Sequence, residues 1–338
     1  MGRLHTYRYA LGMNLSNILK IVSIILISNP SLAIVKAKNI LIPEDPKAIF
    51  ASDNRRDFYQ MPMKFKNMAS GVGSWTSPFF VEEIGNLLKL DFPTMTDHYA
   101  LCPSEKFAGQ VTSMISCTGF LISEDLFLTA GHCMVNAGSA RNEVTAMCSD
   151  FNWLFDYFLK EANQDILSIL PKENLANCQE VLFAENTGED ENRMDFALIR
   201  LKTKYPKRHH FKISKKTITP SMPVHIMGFP SGLPLKYAGS AFVQNMRKGP
   251  QYFEANLDAV GGNSGSPVLN DQGEAVGILV RGNADFYVDK SADCDRWNLC
   301  NTTGKRCSNG IQEEDWNNGM HIQKFSPEFL KLLAPYLN

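Results

Sequence analysis

Gly261-Gly262-Asn263-Ser264-Gly265-Ser266-Pro267-Val268 is the stretch on which the reading of this chain turns. A serine set among glycines can sit on a tight turn whose backbone N–H groups converge on one point. That geometry suits a developing oxyanion, and each donor there is typically worth ~2.7–4 kcal/mol of barrier. Taken alone, such a loop is more often an ordinary glycine-rich turn. Ser266 lies in the same loop as a rival nucleophile, but Ser264, placed after the paired glycines, is the stronger candidate.

A serine hydroxyl becomes a nucleophile only beside a base, and the base needs a carboxylate to hold its tautomer. Two segments upstream supply these types: Leu128-Thr129-Ala130-Gly131-His132-Cys133 and Asp195-Phe196-Ala197-Leu198-Ile199-Arg200-Leu201. Either is weak by itself, since a lone histidine at a strand end is usually structural and a lone aspartate usually opens a strand.

The surrounding texture is β-rich. Short apolar runs at Cys117 to Ser123, Leu126 to Ala130, Phe196 to Leu201, Val224 to Phe229, Pro267 to Asn270 and Ala275 to Val280 are separated by Gly, Pro and Asn. Runs of this length and spacing predict an all-β barrel or sandwich. No long amphipathic helices separate them, which disfavours a parallel α/β fold. Helices are predicted at Phe151 to Asn163 and at the end of the chain. There Ser326-Pro327-Glu328 supplies a start signal ahead of Phe329, Leu332, Leu333 and Tyr336. Gly228 to Pro234 reads as a pair of β-turns, with a pocket rim as the functional alternative.

Together and in this order, TAGHC, DFALIRL and GGNSGSPV resemble the three signature segments of trypsin-like serine proteases. The third is similar to the bacterial branch that includes glutamyl endopeptidases. The resemblance runs from about Cys102 to the C-terminus and implies an all-β, chymotrypsin-like fold of two six-stranded antiparallel barrels, at about 100–205 and 210–325, with a C-terminal helix. It implies that Ser264 is the nucleophile, His132 the general base and Asp195 its orienter, with the N–H groups of Gly262 and Ser264 as the oxyanion hole. No cofactor or metal is implied, and the partner is a protein or peptide substrate. Activity is expected to rise as His132 loses its proton, so a flat profile between pH 5 and 8 would count against it. The resemblance also implies a disulfide between Cys117 and Cys133, stapling the histidine loop.

Departures from the family pattern bear on activation and specificity. In animal members an aspartate precedes the serine and pairs with a freed N-terminal ammonium; here Asn263, a neutral amide, cannot. Activation is therefore expected not to use that ion pair, while the segment from Ile49 to Asp57 orders the pocket through other contacts. Asp258 matches the base of the primary pocket, where a carboxylate favours a substrate Arg or Lys. The alternative is that Asp258 points elsewhere or binds backbone amides. Leu279 and Ala259 stand where glutamyl endopeptidases carry a histidine and a hydroxyl residue, which disfavours acidic substrates, although Arg281 near the pocket wall leaves that specificity as an alternative. Val280-Arg281-Gly282 resembles the strand that binds substrate backbone. An inactive protease-fold binding protein is the rival reading from another class; an esterase on a different fold is disfavoured by the segment order.

The chain has 338 residues, enough for two compact units or one large one, and 44% of them are hydrophobic. A net charge of −1 and a pI near 6.7 give no basic excess for nucleic acid, and the basic run from Lys202 to Lys216 reads as solvated surface. From Met13, Lys20 followed by the apolar run Ile21 to Ile27 and Ser31-Leu32-Ala33 reads as a signal peptide covering 1–33. That run is too short to span a bilayer, and the alternative reading is an uncleaved N-terminal anchor. The expected product is a secreted or periplasmic monomer with no stable membrane insertion. Residues 34–75 read as a propeptide or N-terminal arm, with a linker around Gly71 to Ser74, and 76–338 as the protease domain. Export makes eight cysteines a disulfide set, and none is in a CxxC pair suited to zinc. Cys148 with Cys178 is the expected second pair because they bracket one insertion; Cys294, Cys300 and Cys307 are expected to pair partly among themselves.

Overall fold

The computed structural model describes residues 49–114, 117–135, 147–162, 168–187, 194–246, 251–282, 284–303, 306–308 and 319–337. The signal-peptide reading of 1–33 lies outside these residues.

Twelve strands form the body: β1 (Val72–Thr76), β2 (Thr118–Leu121), β3 (Leu126–Thr129), β4 (Asn152–Phe155), β5 (Leu175–Asn186), β6 (Asp195–Leu201), β7 (Pro223–Gly228), β8 (Lys236–Asn245), β9 (Tyr252–Ala255), β10 (Pro267–Leu269), β11 (Ala275–Arg281) and β12 (Met320–Lys324). The first six close into an antiparallel barrel in the ring order β1-β2-β3-β6-β5-β4. The last six close in the order β7-β8-β9-β12-β11-β10, the same connectivity repeated. Closure removes the exposed strand edges that an open sheet of this size would present. Six of these strands, β2, β3, β6, β7, β10 and β11, match the apolar runs read from the sequence, because each run packs into a barrel interior. Phe120, Phe127, Leu128, Trp153, Phe155 and Phe196 are buried in the first, and Val224, Ile226, Phe253, Val268, Leu279 and Ile322 in the second.

Two expectations are corrected. Phe151 to Asn163 was expected to be helical, yet its Asn152–Phe155 portion is β4, bridging β1 and β5. Barrel closure needs a strand there, and the Trp153 indole packs 4.7 Å from the Phe127 ring. Tertiary packing of bulky aromatics overrides local helix preference at this point. Asp156, at φ 55°, then takes the chain out of the strand. The stretch expected to be a linker, Gly71 to Ser74, instead leads straight into β1, so the first barrel begins upstream of residue 100. Its two glycines misled the reading: Gly73 stands against the Phe127 and Phe155 rings, where a side chain would crowd the core.

Upstream of β1, Ile49–Phe50 pairs in parallel with Leu299–Cys300, and Arg56–Asp57 pairs antiparallel with Lys236–Tyr237 of β8. The C-terminal helix, Pro327–Leu333, opens with Ser326 accepting the Phe329 N–H at 3.3 Å. It buries Phe329 and Leu333, the former edge-on to Phe196 of β6 at 4.5 Å. The chain end thus crosses from the second barrel onto the first. Four disulfides join Cys102–Cys294, Cys117–Cys133, Cys148–Cys178 and Cys300–Cys307. Cys294 therefore pairs far upstream and not with its neighbours. No helix among the described residues is long and apolar enough to cross a membrane.

Candidate active site

β3 runs out through Ala130 into a 3-10 turn, Gly131–Cys133, that carries His132. β6 lies beside β3 and begins with Asp195. The Asp195 carboxylate is fully buried and accepts from the His132 backbone N–H at 3.0 Å. His132 Nδ1 lies 3.1 and 2.9 Å from the two carboxylate oxygens, which identifies Nδ1 as the protonated nitrogen. Asp195 is itself held from behind, because its N–H donates to Oε1 of the buried Gln323 on β12 at 3.0 Å. The histidine ring keeps 26% of its side-chain surface exposed while the carboxylate has none. A buried carboxylate thus orients an imidazole that solvent can reach.

The Ser264 loop docks on the same corner. The Ser264 carbonyl accepts the Thr118 N–H at 2.7 Å, and Cys133 Sγ is 4.0 Å from that oxygen. Thr118 begins β2, which is paired with β3, so the serine's backbone lies against the residues flanking His132. Gly265 has φ +89°, and a Cβ there would meet the Thr118 carbonyl oxygen at 1.9 Å, so only glycine permits this approach. The loop is pinned at successive carbonyls. Gly261 O accepts the Ser231 N–H at 2.5 Å, Gly262 O accepts the Thr118 hydroxyl at 2.7 Å, and Asn263 O accepts the Ser266 N–H at 2.9 Å. Peptide groups are trans and planar, so a carbonyl fixed on one side turns the next N–H to the other. The N–H groups of Gly262 and Ser264 are therefore directed away from Ser231 and Ser266. Asn263 is spent internally, donating from Nδ2 to Val260 O at 3.2 Å and accepting the Ser266 hydroxyl at 3.3 Å.

The specificity candidates are spread out. Val280 is fully buried on β11, and Gly282 is buried just beyond it. Arg281 ends β11 in register with His321 of β12, its guanidinium 5.9 Å from the centre of the Tyr252 ring. Asp258 turns to the upstream segment: its Oδ1 and Oδ2 accept the N–H groups of Phe50 and Asn54, each at 2.7 Å. Burial raises its pKa to about 6, against the opposing pull of those two hydrogen bonds. Among the described residues, Cys117, His132 and Cys133 lie close enough to suggest a metal cluster. The two sulfurs are bonded to each other, so neither offers a thiolate.

Sequence reasoning missed Thr118, Ser231 and Gln323, all of which brace the site. Only Ser231 had a signal, inside the turn-rich stretch Gly228 to Pro234. There Pro230–Gly232 forms a buried 3-10 turn with Ser231 at φ 49°.

Residues 117–278 match the model of the trypsin-like peptidase domain. No curated protein sequence matches the chain. Among solved structures, a Glu endopeptidase in complex with MPD aligns at 17% identity over 86% of this chain and 99% of that one, with a TM-score of 0.47. Rv3671c of M. tuberculosis H37Rv, as an inactive serine-to-alanine mutant, aligns at 13% identity over 86% and 96%, with a TM-score of 0.40.

Proposed function

We propose that this protein, whose residues 117–278 match the trypsin-like peptidase domain, is a serine endopeptidase. Ser264 Oγ attacks the scissile carbonyl carbon as the far nitrogen of His132 takes its proton. The oxyanion so formed is held by the N–H groups of Gly262 and Ser264. Collapse breaks the C–N bond, His132 passes its proton to the leaving amine, and an acyl-enzyme remains on Ser264. Water then repeats the sequence, giving its proton to His132 and releasing the acid. Asp195 stabilises the imidazolium in both halves. The observation that carries this reading is the doubly bonded His132–Asp195 pair beside the docked Ser264 loop.

Four disulfides fit an extracellular or periplasmic protein. On this reading the chain is exported, cut after Ala33, and acts as a monomer on peptide substrates without a cofactor. The test is labelling of the purified protein with a fluorophosphonate probe beside Ser264→Ala. Labelling of the parent alone supports the assignment. Equal labelling of both would place the nucleophile elsewhere.

A further inference from the structure

Asp258 stands six residues before Ser264 on the segment that leads into the oxyanion loop, and the residue is 2% exposed. Both of its oxygens are engaged by N–H groups from a segment more than 200 residues upstream, at Phe50 and Asn54. That segment is anchored independently on either side of the contact. Ile49 donates to Asn298 O at 3.1 Å and is fully buried with Val260, Leu233 and Trp297. The buried Asp57 carboxylate pairs with the equally buried Lys236 ammonium at 2.6 Å. Between these anchors, Arg55 is 1% exposed, forked onto Asp53 at 3.0 and 2.7 Å and stacked 4.0 Å over the Trp297 ring. A loose propeptide would not bury an arginine and a lysine with paired acids, since breaking such pairs leaves uncompensated charge inside the protein.

We infer that Ile49–Asp57 is a permanent part of the working enzyme whose backbone amides occupy Asp258, so that Asp258 anchors this segment and does not select a basic side chain before the scissile bond. The inference rests on the serine endopeptidase reading for its substrate half. Its physical basis is competition. A substrate ammonium or guanidinium would have to displace two short charge-assisted hydrogen bonds from a covalently tethered segment. The contact also links the arm to catalysis, because Ile49 packs on Val260 and the Val260 carbonyl holds Asn263. Losing the arm would therefore loosen the oxyanion loop for every substrate alike.

The test uses the full chain with Asp258→Ala and Asp258→Asn, the latter keeping one acceptor should the alanine variant fold poorly. Hydrogen exchange is followed on the peptide spanning residues 49–57, and kcat/KM is measured on a peptide library varied before the scissile bond. Asp258→Ala is expected to speed exchange at that peptide by about 10-fold or more, with Asp258→Asn between it and the parent. Both variants should lose activity on basic and neutral peptides by one common factor, about 10- to 100-fold for the alanine. The parent should favour Arg or Lys by less than about 3-fold, where a pocket carboxylate facing the substrate would give far more. Unchanged exchange in Asp258→Ala overturns the inference, as does a strong basic preference that Asp258→Asn removes selectively. Exchange needs no turnover and fluorophosphonate labelling reports Ser264 directly. A parent that fails to label would therefore sink the peptidase reading while exchange still decides the clamp.

Discussion

Gly131→Ala is the most informative single substitution, because the site's geometry depends on a missing methyl group. An ideal Cβ at Gly131 would lie 1.7 Å from the Glu185 carbonyl oxygen and 2.9 Å from the Phe196 nitrogen. Relieving the first contact to about 3.0 Å takes a displacement of roughly 1.3 Å. Glu185 and Phe196 face each other across the β5–β6 pairing, one step from Asn186 and Asp195. That ladder resists opening, so the turn carrying His132 moves instead. The His132 N–H to Asp195 bond, now 3.0 Å, then stretches beyond hydrogen-bonding range, and Nδ1 loses its alignment. Misplacement of a catalytic group by about 1 Å costs on the order of 100-fold in rate, and the overpacking itself costs about 1–3 kcal/mol of stability. The assay is the fluorophosphonate labelling rate and peptide kcat/KM, with Tm from calorimetry. Gly109→Ala serves as the control, since nothing lies within 4 Å of its Cβ position. A Gly131→Ala enzyme that keeps more than about a third of the labelling rate with an unmoved Tm would refute the reasoning.

Three further outcomes follow from the same contacts. Thr118→Val removes a hydroxyl that donates to Gly262 O and accepts the Phe229 N–H. It should lower kcat about 10- to 100-fold with little change in KM, because the loss falls on the oxyanion loop; an unchanged kcat would show that Thr118 does not brace the hole. Removing Cys102–Cys294, which spans 192 residues, should cost about 5 kcal/mol against about 2 kcal/mol for Cys300–Cys307, which spans 7. Denaturation of the paired alanine variants measures both, and a larger effect from the short loop would contradict the chain-entropy account. Asp258, at about 6 in the folded state against the ordinary 3.8, binds its proton earlier in the native protein than in the unfolded chain. Its contribution to stability is therefore full below about pH 4 and falls by about 3 kcal/mol as pH rises through 6. Asp258→Asn should flatten that slope, and an unchanged slope would place the titration elsewhere.

Much of the architecture was legible because barrels of this kind store their pattern locally. Half of the strands are short apolar runs closed by turn residues, so Leu126 to Ala130 or Ala275 to Val280 can be read without knowing what they pair with. The Phe151 to Asn163 stretch was not legible in that way. Its aromatics suit a helix face or a barrel interior equally, and only ring closure between β1 and β5 selects the strand. The His132 and Ser264 segments stood out for a similar reason, since their backbone turns leave glycines in the sequence, whereas Asp195 was read from its residue type at the head of an apolar run. Thr118 and Gln323 leave no such mark, and the turn residues around Ser231 do not say what its N–H will meet. The Thr118 hydroxyl and the Gln323 amide meet partners more than a hundred residues away, and the Ser231 N–H meets the Gly261 carbonyl across another loop.

The sequence by itself determined the strand runs, the capped C-terminal helix and the three segments whose residue types suit acyl transfer, because each is encoded within a few consecutive positions. Tertiary structure alone decided which cysteine Cys294 would meet, that Asn263 is bound within its own loop, and that the Asp258 carboxylate faces Phe50 and Asn54. A buried polar group takes whichever partner the fold carries to it, and nothing in the local sequence states which one that will be.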